Sequence, residues 1–110
     1  MSRRYLVVGK YTAAGFTGVV KDGFQSRVDN LQAAVESLGG KLIEYSFCSG
    51  TEYDFIALYE IADENKALTI QLVAGASGTI STSTIRLLTA SEMDANRSNI
   101  AGVKWTPAGK

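Results

Sequence analysis

An α+β fold on a four-stranded antiparallel sheet is what the sequence predicts, and three observations carry the prediction. Residues 4–11 and 53–61 alternate at period two yet are apolar on both faces, which suits strands in the middle of a sheet. Residues 41–49 and 78–88 have strand composition but a polar face or little core-forming surface, which suits sheet edges. Between them lie two stretches whose apolar residues recur at helical spacing, so the order reads β-α-β-β-α-β.

The first strand sends Tyr5, Val7, Gly9 and Tyr11 to one face and Leu6 and Val8 to the other. Thr12 is placed to cap a helix after it, but Gly15, Gly18 and Gly23 oppose an unbroken one. The stripe Phe16, Val20, Phe24, Val28, Leu31, Val35, Leu38 keeps helical spacing throughout. As one helix it would run about 39 Å at 1.5 Å per residue, against strands of about 25 Å at ~3.3 Å per residue. The expectation is a short turn over 13–20, a break near Asp22-Gly23 and a main helix over 27–38. Ser26 would cap that helix, Asp29 would favour its first turn, and Gly39-Gly40 would end it.

In the second strand Ile43, Tyr45 and Phe47 share one face, and Leu42, Glu44, Ser46 and Cys48 the other. The turn Ser49-Gly50-Thr51 leads into the third, where Tyr53, Phe55, Ala57, Tyr59 and Ile61 oppose Ile56 and Leu58. Asp63 caps a second helix over 64–74, with Gly75 and Gly78 bracketing its end. The fourth strand follows, rich in threonine and serine, and Thr89 to Glu92 forms a capping box for a short helix reaching Arg97. Residues 1–97 read as one domain and 98–110 as a polar tail interrupted by Ile100, Val103 and Trp105.

With strands one and three central, the arrangement that fits is ferredoxin-like, with sheet order 4-1-3-2. Right-handed crossovers then place both helices on one face. The opposite face is too apolar to stay bare. The aliphatic set Leu6, Val8, Ile56 and Leu58 is expected beneath the helices, and the aromatic set Tyr5, Val7, Tyr11, Phe55 and Tyr59 on the open face. There a second copy, sheet against sheet, would cover it in a two-fold homodimer with a barrel-like interior.

Composition removes several chemistries. Eleven basic and eleven acidic residues cancel, so no general field draws the chain to nucleic acid or to an anionic membrane. Histidine is absent, which excludes a Ser-His-Asp or Cys-His arrangement within one chain. The single cysteine, Cys48, permits no intrachain disulfide and points to a cytoplasmic setting. No stretch approaches the ~20 apolar residues of a membrane span, and no secretion signal is read.

Several short features resemble the GYD-domain family: Tyr11-Thr12 followed by Gly15, the Leu38-Gly39-Gly40-Lys41 helix exit, Tyr53-Asp54-Phe55, and Gly78 followed by Thr82 and Thr84. Their order and spacing cover about residues 4 to 95. The resemblance implies the dimeric α/β-barrel group, which holds cofactor-free monooxygenases, lactone isomerases and small-molecule-binding regulators. One position departs from the pattern: Glu52 stands where the family's glycine precedes Tyr-Asp, and Gly50 is the alternative carrier of the turn.

Two functions follow as expectations. The first is a homodimeric small-molecule-binding or structural module, with Tyr5, Tyr11, Tyr45, Tyr53 and Tyr59 lining a site for a small hydrophobic ligand. The second is a cofactor-independent enzyme, monooxygenase- or isomerase-like, acting on a small hydrophobic or aromatic substrate with Asp54 as base. Against that role stands the habit of turn aspartates to bond backbone amides. Arg27 and Arg86 are candidates to anchor an anionic group. Glu44, Glu60 and Asp54 have no spacing that argues for a metal, and no cofactor is implied. An RNA-recognition motif shares the element order, but its third-strand aromatic pattern falls on Leu58 and the chain lacks a basic excess.

Overall fold

Period-two alternation in the chain becomes β1 (Arg3–Tyr11), β2 (Lys41–Phe47), β3 (Phe55–Ile61) and β4 (Ile80–Leu87). The computed structural model describes residues 2–110. Helices α1 (Ala13–Asp22) and α2 (Gln25–Ser37) join β1 to β2, α3 (Glu64–Ala76) joins β3 to β4, and α4 (Ala90–Ala95) precedes a 3₁₀ turn at Arg97–Gly102. The sheet runs β2-β3-β1-β4, antiparallel throughout, so the predicted central pair and both edges are in place. No helix among the described residues is long and apolar enough to cross a membrane.

The first crossover is more helical than its glycines suggest. Thr12 caps α1 by accepting the Gly15 N–H, and the helix continues through Gly15 and Gly18 to Asp22. Gly23, at φ 91°, makes the expected break. Helix α2 then starts at Gln25, earlier than predicted. Ser26 lies inside it and donates its hydroxyl to the Gly23 carbonyl instead of capping. At its end Gly39 takes φ 78°, and the Gly40 N–H bonds back to the Val35 carbonyl at 2.9 Å. Helix α3 is capped by Asp63 through the Asn65 N–H and runs through Gly75 to Ala76. The Thr89–Glu92 capping box forms as read from the sequence.

The two sheet faces are the reverse of the expectation. Tyr5, Val7, Tyr11, Phe55, Ala57, Tyr59 and Ile61 are buried beneath the helices, against Val19, Val35 and Ala67. Leu6, Val8, Ile56 and Leu58 lie half-buried on the open face. The aromatic face, on which a second copy was expected, is thus covered by helices of the same chain. Packing explains the choice. Gly9 pairs with Phe55 across β1 and β3, and a Cβ at Gly9 would collide with the Phe55 ring. Gly9 and Ala57 leave room on this face for large rings, and small helix residues fill between them, as a close-packed layer requires.

Strand β2 carries one further correction. A bulge between Leu42 and Glu44 turns Leu42 onto the aromatic face, opposite Tyr59, and leaves Ile43 exposed at the irregularity. Tyr45 and Phe47 keep their predicted side. The helix-covered face thus gains an edge wall of Leu42, Tyr45 and Phe47.

Candidate ligand-binding cleft

Between α2 and α3, with the aromatic sheet face as its floor, lies a cavity of about 400 Å³. Leu31, Ala34 and Leu38 of α2 form one wall, and Ile70, Val73 and Ala74 of α3 the other. The floor is Val7, Tyr11, Tyr45, Phe55 and Tyr59, extended by Thr82 and Thr84 of β4. Ligand pockets fall between about 300 and 1,000 Å³ with mostly apolar walls and a few polar groups. This cleft has that character. A smaller cavity of about 160 Å³ lies beside it under α1, and Tyr11, Arg27 and Thr79 border both.

Two of its polar groups are paired. The Tyr11 and Tyr45 hydroxyls are 2.8 Å apart and hydrogen-bonded. Tyr45 stacks on Phe55 at 5.3 Å between centroids, and Tyr11 packs against the same ring at 5.1 Å. Burial pushes both tyrosines above their ordinary pKa of 10.0, while the positive charge of Arg27 pulls both the other way. Burial also raises Tyr59, to about 12. These hydroxyls are protonated at neutral pH and act as hydrogen-bond donors, not bases.

Tyr59 is 1% exposed, stacks on Tyr5 at 5.7 Å, and has no partner for its hydroxyl; neither has Tyr5. Unpartnered buried hydroxyls cost about 1–3 kcal/mol each. Tyr59 lines the cleft and Tyr5 lies behind it.

Of the six residues singled out from the sequence, Tyr11, Tyr45 and Tyr59 meet at the cleft. Tyr5 contributes only through its stack on Tyr59. Tyr53 stands in the β2–β3 turn beside Glu52, whose side chain raises its pKa by accepting a hydrogen bond and by its charge. Asp54 borders neither cavity. Its Oδ2 accepts the Tyr11 N–H at 2.9 Å, and its own N–H donates to the Gly9 carbonyl at 2.8 Å, so it continues the β1–β3 ladder where β3 begins. Arg86 is paired with Glu92 at 3.0 Å, whereas Arg27 lines the cleft.

The threonines of β4 were not read as site residues. Their signal was present, because Ile80, Thr82 and Thr84 alternate onto the face that Tyr11, Gly9 and Val7 share. Asn30, Thr69 and Gln71 also reach the cleft, and nothing in the sequence distinguishes them from surface polar residues.

Fold and cleft together define a ferredoxin-like α+β domain with an aromatic-floored pocket between its helices and sheet. The chain belongs to the GYD domain family, whose pattern matches residues 5–96. Among curated proteins none matches it. The glycine missing at Glu52 is not required by the backbone here. No described residue other than glycine has positive φ, and Gly50 turns the loop at φ 79°.

Proposed function

We propose that the protein is a homodimeric binding module for a small, mainly apolar ligand held in the cleft between α2 and α3. The observation that carries this reading is the cleft itself, a mainly apolar space of metabolite size that includes the hydrogen-bonded Tyr11–Tyr45 pair among its polar groups. An enzyme that abstracts a proton needs a base there. The titratable residues lining the cleft are Arg27, Tyr11, Tyr45 and Tyr59, none of them a base at neutral pH, so binding is favoured over catalysis.

The dimer part of the proposal moves to the aliphatic face. Leu6, Val8, Ile56, Leu58 and Ile85 form a continuous patch by the strand register, with Leu87 at its border. Arg4, Lys10, Lys41, Glu44 and Glu60 surround it, and Arg4 lies 4.0 Å from Glu60. A rim carrying both signs is self-complementary under two-fold symmetry, so a second copy suits this face. Native mass spectrometry of freshly purified protein tests both parts at once. The expected species is a dimer carrying retained small-molecule mass; a bare monomer would refute the reading.

A further inference from the structure

The cleft contains one formal charge. Arg27, in the first turn of α2, is the only charged residue among those lining it. Arg27 is half-buried, and among the described residues no carboxylate lies within ion-pair distance of it. Asp22 borders the smaller cavity with Arg27 but does not pair with it. Arg86 shows the ordinary alternative, a surface arginine satisfied by Glu92. An arginine without a carboxylate partner, bordering an apolar space, favours an anion as its partner there.

The hydroxyl pair adds a second donor. Tyr11 and Tyr45 carry two hydroxyl protons, and one of them lies in the bond between the rings. The other has no partner within the pair. Arg27, Tyr11 and Tyr45 all border the main cavity, and the charge of Arg27 is felt by both hydroxyls. Away from them the walls are Leu31, Ala34, Ile70 and Val73, which offer no second charge. A ligand matching this pattern has one singly charged acceptor end and an apolar body. A dianion such as a phosphate monoester would leave charge unmatched.

We infer that the cleft selects an apolar monocarboxylate, its carboxylate held by Arg27 and by the free hydroxyl proton of the Tyr11–Tyr45 pair. The inference rests on the reading of the cleft as the ligand site and names the ligand's class.

Titration calorimetry of the full chain with octanoate, and with octanamide as its neutral counterpart, tests both levels separately. Octanoate should bind about tenfold or more tighter than octanamide, since a charge-assisted contact exceeds a neutral one by that order. Arg27→Gln should remove the difference by weakening octanoate far more than octanamide, with Arg27→Lys restoring part of it. Ala34→Trp, which fills the cleft, should abolish both. Equal affinity for the two probes would overturn the carboxylate assignment while leaving the cleft reading intact. Failure of both probes to bind, or binding untouched by Ala34→Trp, would overturn both. The comparison of the two probes on the unaltered protein decides the question even if a variant fails to fold.

Discussion

Asp54 joins three strands through one residue. Its carbonyl accepts the Cys48 N–H at 2.9 Å from the β2 side, while its N–H and Oδ2 engage Gly9 and Tyr11 of β1. Asp54→Ala would leave the Tyr11 N–H without a partner and should destabilise the fold by about 1–3 kcal/mol. Asp54→Asn keeps a carbonyl oxygen at the same place and should cost less. Denaturant midpoints of the two variants measure the difference, and equal losses would deny the structural role. Tyr45→Phe deletes one hydroxyl of the buried pair and should cost about 1 kcal/mol. The tyrosines also set a pH dependence. Tyr59 holds its proton to about 12 in the folded chain against 10.0 when exposed. Its contribution is therefore complete below pH 10 and is lost as pH rises towards 12, because the unfolded chain releases the proton first. Urea unfolding followed across that window should show falling stability, and Tyr59→Phe should flatten the fall.

The elements show the same residue type acting in opposite ways. Gly15 and Gly18 both sit within α1, where alanine is normally the better helix former by about 1 kcal/mol. A Cβ at Gly15 would run into the Thr79 carbonyl oxygen, the acceptor that ties Thr12 to the loop before β4. At Gly18 a Cβ meets nothing within 4 Å. Gly18→Ala should raise stability by about 0.4–1 kcal/mol, and Gly15→Ala should lower it despite the same gain in propensity. Thermal unfolding of the pair separates docking of α1 from its intrinsic helicity. Helix α3 is unusual in another respect. It buries only Ala67 and exposes Leu68, Leu72 and Val73, so its apolar residues are not confined to the inner side.

At the scale of the whole molecule the open sheet face carries Leu6, Val8, Ile56 and Leu58 half-buried and Ile85 exposed. If a second copy covers it, Leu58→Glu places a charge near the centre of each half and should convert the dimer to monomer at micromolar concentration. Sedimentation reads the change, and circular dichroism should show the fold retained. A wild-type monomer would refute the dimer, and a Leu58→Glu dimer would move its interface away from this face. The tail past Gly102 leaves Val103 and Trp105 exposed and lies outside the residues the family matches.

What the chain determines by itself is local. Strand alternation, the caps at Thr12, Asp63 and Thr89, and the turns at Gly23, Gly39 and Gly50 depend on near neighbours, and all are visible in order along the sequence. Helix bounds shifted because propensity is a weak term beside packing: α1 runs through two glycines once its inner side docks on β1 and Thr79. The family was legible too, through motifs whose spacing survives the loss of the glycine at Glu52. Which sheet face meets the helices was not. Both faces of β1 and β3 are apolar, so hydrophobicity ranks them equally, and the decision falls to volume. Rings of Tyr11, Phe55 and Tyr59 fit beneath the helices only because Gly9 and Ala57 stand beside them and Val35 and Ala67 above. That interlocking joins residues far apart in the chain. It also leaves the space between α2 and α3 where Arg27 and the tyrosine pair meet, and tertiary packing alone brings them together.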